Sequence, residues 1–370
     1  MEPASAPRLE KVLVHVIHAF DVGLSVDLER AKQSITDLTE LAEIKHKGHA
    51  PSYFQFDPKP LRVTQRSAGL ACGSAKSSPE VDLVIYDFGG VSVLHELSFS
   101  GTLEELIALS CALAGSPTFR EDARQRVAKL VAVIEPAVVR ANIDSLSEDY
   151  LVFQTGALPG DLTAAGLAEL AGPQVARLLR SEADALSGQE ISDALGARVA
   201  FGEHDQAWID WNAALLIDAE PGDVLAVLEF ANLQLLELRF LDRRLDRALD
   251  QSYEAMNAER IWSRLRLPGS VRGELRRVAQ LQVDAAILHE RVNNALKLMG
   301  DQYLARVYRA TSQRFRLMEW NSGILRKLEA TESIYSKLHD QATQIRMEIL
   351  EWIIILLIAF EIGWSILSSG

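Results

Sequence analysis

Cysteine is almost missing from this sequence: Cys72 and Cys111 are the only two in 370 residues. That excludes a disulfide scaffold and a cysteine-built zinc module, and it fits a reducing compartment. Basic charge is also short. Lys and Arg number 38 against 51 Asp and Glu, a net charge of -13, so a nucleic-acid coat is disfavoured and no direct DNA binding is expected. There is no Gly-Lys dipeptide, hence no phosphate-binding loop, and neither GxGxxG nor GxSxG occurs. His95-Glu96 and His289-Glu290 open like a zincin helix, but Phe99 and Asn293 stand where the second ligand would be. No catalytic residue, cofactor or metal is expected from motifs. Long hydrophobic runs are missing too, save one at the C-terminal end.

What is present suits a folded body. Hydrophobic residues make up 48% and charged residues 24%, enough apolar content for a sizeable core. The first 160 residues mix strand and helix signals and read as an α+β domain. Val12 to Phe20 reads as an opening strand, without the small-residue cleavage site of a secretory signal. His15 and His18 lie within it, and a strand sends residues three apart to opposite faces. VDLVIYDFGGVSVLH, from Val81 to His95, predicts a hairpin whose turn at Asp87 to Gly90 needs positive φ. Thr102 and Glu105 form a capping box for a helix from Leu103. His46 and His49 precede Pro51 and read as a solvated helix end, and the group Gly202 to Asp205 as a turn.

Beyond residue 160 the helical period dominates. Residues 161–268 are expected to form a helical region, with 199–217 open between strand and helix. Residues 269–349 are expected to form coiled-coil-like helices. Val271, Val278, Ala285, Val292 and Met299 sit seven apart, and a second register follows Gly300. That register offers a seam of Leu328, Tyr335, Leu338, Ile345 and Ile349, apolar at alternating steps, for an intrachain hairpin or a homo-oligomer.

Residues 350–367 are expected to be a C-terminal transmembrane helix. Apolar residues from Trp352 to Leu367 favour insertion by about 5 kcal/mol in sum, and Glu361 costs about 3. Lys337 and Arg346 precede the run and nothing basic follows, which would keep the body in the cytoplasm and place the chain in an inner membrane.

Three stretches, VDLVIYDFGGVSV, FANLQLLELRFLD from Phe230 to Asp242, and LEWIIILLIAFEI from Leu350 to Ile362, resemble the "required for meiotic nuclear division" family. The family includes YagE-like bacterial proteins, sporulation proteins and a mitochondrial inner-membrane protein. Leu350, Glu351, Trp352, Ile353, Ile354 and Glu361 carry the most specific part of the resemblance. It implies a membrane-anchored homo-oligomer and, through the mitochondrial relative, a translation-related partner. Lacking a transit-like N-terminus, the chain reads as a bacterial relative.

The function expected from all this is a membrane-anchored, non-enzymatic oligomeric scaffold. The alternative from another class is an enzyme whose site lies in the α+β domain near Asp82, Asp87 and Glu96.

Overall fold

In the computed structural model, the structure describes residues 8–36, 58–160, 162–202, 205–262, 279, 280, 283, 286, 290 and 302–368. His46, His49, Glu203, His204 and every residue of the Val271, Val278, Ala285, Val292 and Met299 register lie outside them. The chain divides into two compact units: Met1–Phe240 with Leu288–Trp320, and Leu241–Ile287 with Asn321–Gly370.

The first unit is built on one sheet. Its strands are β1 (Arg8–Asp21), β3 (Leu61–Arg66), β4 (Ala71–Cys72), β5 (Ala75–Ile85), β6 (Gly90–Thr102), β8 (Ser147–Thr155), β9 (Arg198–Val199), β10 (Gln206–Ile209) and β11 (Ala213–Ile217). The order is β3-β5-β6-β1-β8-β11-β10-β9, with β4 on β5. Neighbours are antiparallel except β8 and β11, which run parallel. A small ladder joins β2 (Ser25–Val26) to β7 (Val138–Val139).

Alternation along β1 and β6 decides what covers the sheet. Val12, Val14 and Val16 with Leu97 and Phe99 enter one core under α2 (Leu103–Leu113) and α4 (Ala164–Arg180). Further along the same face, Phe20, Val91 and Val93 enter a second core under α1 (Leu28–Thr36) and α3 (Pro117–Ile134). Each fully buried aliphatic or aromatic side chain contributes about 1.5–3 kcal/mol, so these faces dominate the unit's stability. His18 and His95 sit on this face between the two cores. Their rings meet edge to face at 6.4 Å. His15 points the other way and bonds Gln154 at 2.9 Å, as strand alternation requires.

The opposite face meets α6 (Gly222–Trp262): Leu233 lies over Gly90, and Arg62 is 3.8 Å from Glu229. The hairpin forms as expected, with Gly89 at φ +100, and a Cβ there would fall 1.9 Å from the Gly23 carbonyl oxygen. The Thr102 and Glu105 capping box is present.

Several expectations are corrected. The architecture is mixed α/β with a large sheet, and the helical region expected at 161–268 is interrupted by β9, β10 and β11, so an all-α region beginning at residue 161 is not supported. Trp208, Ala214 and Leu215 belong to β10 and β11, which extend the same sheet as β1, so the segment left open between strand and helix contains the strands Gln206–Ile209 and Ala213–Ile217 and, among its described residues, no helix. The reason is burial on both faces: every residue of Ala213–Ile217 is buried, and a continuous apolar run hides the period that separates strand from helix.

The last two helices are α7 (Gln302–Arg314) and α8 (Leu317–Ser368). Among the described residues no helix is long and apolar enough to cross a membrane. The transmembrane helix at 350–367 and the inner-membrane placement are withdrawn. Between Glu351 and Glu361 the charge-free run is nine residues, roughly 14 Å of helix against a ~30 Å hydrocarbon core. Leu350, Trp352, Ile353, Ile354 and Glu361 all lie exposed on α8.

Coiled-coil pairing is withdrawn as well. The start of α8 is engaged by α6 within the second unit, where Lys327 reaches Asp242 and Asp246, each at 2.6 Å. Leu245 and Ile324 of the same unit are fully buried. Of the expected seam, Leu328 is half-buried, and the side chains of Tyr335, Leu338, Ile345 and Ile349 lie outside the described set.

Candidate functional site

A cleft of about 830 Å³ opens in the first unit, within the size range of small-molecule sites. Its walls come from distant parts of the sequence, and each is set by local chemistry. The first wall is the C-terminal end of α4. This helix is kinked at Ala171, ahead of Pro173, and stops at Ser181, which takes left-handed φ 52 as the cap. Arg180 is thereby delivered at the helix end, where the carbonyl-rich terminus favours a cation.

The second wall is the bend between β10 and β11. Asp210 is wholly buried there, its backbone carbonyl accepting a hydrogen bond from the Tyr150 hydroxyl at 2.9 Å. Asn212 ties the bend to the first wall by donating from Nδ2 to the Arg180 carbonyl at 2.9 Å. The third wall is the turn after α7, with Arg314, Phe315 and Arg316. Phe315 is buried edge-on against Tyr150 at 5.0 Å. Arg316 takes φ 52. From α6 come Asn232, Leu235 and Arg239, the last paired with Glu148 of β8.

The electrostatics centre on Arg180. Its Nε donates to the Asp210 carboxylate, Nη1 to Glu190 at 2.7 Å and Nη2 to Asp193 at 2.6 Å. Arg314 donates from Nη1 to the same Asp193 at 3.0 Å, and its Nε lies 3.8 Å from Asp210. The Arg180 guanidinium also lies over the Trp211 ring, 5.4 Å from its centroid. Burial pushes the Asp210 carboxyl up, against the pull of Arg180. The hydrogen bond from Arg314 holds Asp193 below its usual value.

The two arginine side chains are 12% and 16% exposed, whereas those of Glu190 and Asp193 are 48% and 56% exposed. The cations are the buried ends of these pairs, and Arg314 also donates from Nη2 to the Asp193 backbone carbonyl. Glu190 and Asp193 ride on α5 (Gly188–Ala194), a short helix capped by Ser187.

No residue expected from the sequence lines this cleft. Asp82 is instead held by Arg62 at 2.9 Å and Thr64 at 2.6 Å. Glu96 lies 3.8 Å from His15, and Asp87 closes the hairpin turn, where its carbonyl accepts from Val26. These three are not gathered into one site. Among the described residues no group of three or more His, Cys, Asp or Glu could hold a metal ion. Arg180, Asp210 and Arg314 were invisible in sequence because 30 and 104 residues separate them. The nearest hint was the stretch Trp208 to Asn212, where a charge interrupts an otherwise apolar pair of strands.

A family model described as the N-terminal domain of uncharacterized protein MJ0711 matches residues 11–223. Uncharacterized protein MJ0711 of Methanocaldococcus jannaschii is 25% identical over 190 residues, covering 50% of this chain and 56% of that protein. The match thus spans little more than half the relative's length. No solved structure matches the chain significantly. The resemblance to the "required for meiotic nuclear division" family is overturned by these matches. It leaned on apolar strings such as LEWIIILLIAFEI, which lie outside the matched segment.

Proposed function

The chain belongs to the family of the MJ0711 N-terminal domain, and on that premise we propose that its first unit is a non-catalytic binding module for a small polar molecule. One observation carries the reading. The cleft is lined by Arg180, Arg239, Arg314 and Arg316 together with Glu148, Asp149, Glu190 and Asp193 and, among the described residues, by no Ser, Thr, Cys, Lys, His or Tyr. Covalent catalysis needs a nucleophile beside a base, and acid–base catalysis needs a group poised near neutral pH. Glu148, Glu190 and Asp193 are instead committed to arginine partners. Such a lining supports recognition: rigid donors and acceptors, with Trp211, Phe315 and Trp320 supplying apolar surface.

The oligomeric-scaffold half of the expected function is compatible with this reading and stays a proposal. A thermal-shift screen of the full chain against polar small molecules tests the module. A ligand at one hundred times its Kd should stabilise by about 2.7 kcal/mol. Leu235→Trp, which fills the cleft, should abolish the shift. A shift that persists unchanged in Leu235→Trp would place the ligand elsewhere and refute the reading.

A further inference from the structure

We propose that the cleft is a receptor for a phosphoryl group and that Asp193 and Glu190 occupy it as a built-in substitute for the ligand. The inference rests on the binding-module reading above. Nη2 of Arg314 donates to the Asp193 backbone carbonyl, and three further N–H directions leave the wall from two guanidinium groups: Nη1 and Nη2 of Arg180 and Nη1 of Arg314. They are met by two carboxylates carrying two negative charges between them, and Asp193 bridges both arginines. A phosphate monoester supplies the same set in one group, with three terminal oxygens and a charge near −2 at neutral pH.

The asymmetry of the pairing gives the direction of exchange. Arg180 is anchored from behind by wholly buried Asp210 and capped by Trp211, so it cannot follow a departing partner. Asp193 and Glu190 are half exposed and sit on a seven-residue helix. The arginine ends of these pairs are buried and need an anionic partner, so an incoming dianion displaces the carboxylates by replacing their charge-assisted bonds with its own. Water then solvates the two released carboxylates. The Trp211 ring beside the receptor suits an aromatic body on the ester.

The test uses the full-length chain, with inorganic phosphate, phenyl phosphate and acetate as probes in calorimetric titrations. Wild type should bind phenyl phosphate more tightly than phosphate, and acetate least. Asp193→Asn, an exposed isosteric change, should tighten phenyl phosphate about tenfold, equivalent to 1.4 kcal/mol. Glu190→Gln should act in the same direction, and Arg314→Gln should weaken binding at least tenfold. Unchanged affinity in both Asp193→Asn and Glu190→Gln would overturn the substitute-ligand idea while leaving the module intact. An equal gain for acetate would overturn the phosphoryl assignment. If Leu235→Trp leaves phenyl phosphate binding untouched, the cleft itself is wrong and the module reading falls with it.

Discussion

Acid should loosen the first unit through His18, and the size of the effect follows from its burial. His18 is 1% exposed, lies beside the His95 ring, and its Nδ1 has no hydrogen-bond partner. Burial, then the nearby His95 and Arg120, lowers its pKa to about 3 from 6.5. The folded value lies below the unfolded one, so the unfolded chain takes the proton first. Stability is therefore complete above pH 6.5 and falls as pH drops towards 3. Each pH unit in that window costs about 1.4 kcal/mol, so roughly 2.7 kcal/mol is lost by pH 4.5.

Buried carboxyls push the opposite way. Glu229 and Glu237 have raised pKa values through burial, so acid relieves them and the wild-type slope is a difference of terms. His18→Leu isolates the histidine. Urea unfolding at pH 7.5 and pH 4.5 should show the variant losing about 2–3 kcal/mol less than wild type over that interval. If the two proteins lose stability in parallel, His18 is not held neutral and the reasoning fails.

Glu237 has neither carboxyl oxygen hydrogen-bonded and lies near Asp21. Its raised pKa means stability is lost as pH rises from the unfolded carboxyl value towards the folded one, so Glu237→Gln should stabilise at pH 8 by about 1–3 kcal/mol and flatten that fall, measured by denaturant midpoint. Arg180→Met leaves Asp210 buried with its closest cation gone and should destabilise by about 3–5 kcal/mol, whereas the double variant with Asp210→Leu should recover part of that loss. Gly89→Ala forces a side chain into φ +100 and against Gly23, so its melting temperature should fall well below wild type, with a null shift counting against the hairpin geometry. Self-association remains a proposal resting on exposed Ile353, Leu357 and Phe360. Light scattering should give a mass above one chain, reduced by Leu357→Lys, and a monomer at every concentration would dismiss it.

The hairpin, the capping box and the opposite facing of His15 and His18 were legible because each rests on neighbours in sequence. A turn needs its glycine, a cap its hydroxyl and a strand its alternation. What escaped was carried by long-range pairing. Ala213 to Ile217 joins β8 in parallel, and nothing local distinguishes such a strand from a buried helix. The C-terminal string misleads for the opposite reason: its apolar content is high, yet Glu351 and Glu361 leave an uninterrupted run of only nine residues. The cleft was least legible of all, since a charge network is defined by contacts and charged residues are common on every surface.

The route of the chain around the cleft imposes an order on its assembly. Arg314 meets Asp193 across 121 residues, and Arg306 reaches the Ala200 carbonyl across 106. The sheet closes comparable distances, since Leu13 of β1 lies opposite Gln154 of β8, so the order comes from synthesis: the third wall is made last. During synthesis the sheet and α4 can form while the third wall has yet to leave the ribosome, with Arg180 holding Asp193 and Glu190 alone. A chain halted after residue 223, where the family match ends, would carry the Arg180 and Asp210 half of the receptor and lack Arg314. Competence to bind would then report that translation has passed residue 320, a property no strand or helix of the sheet could signal by itself.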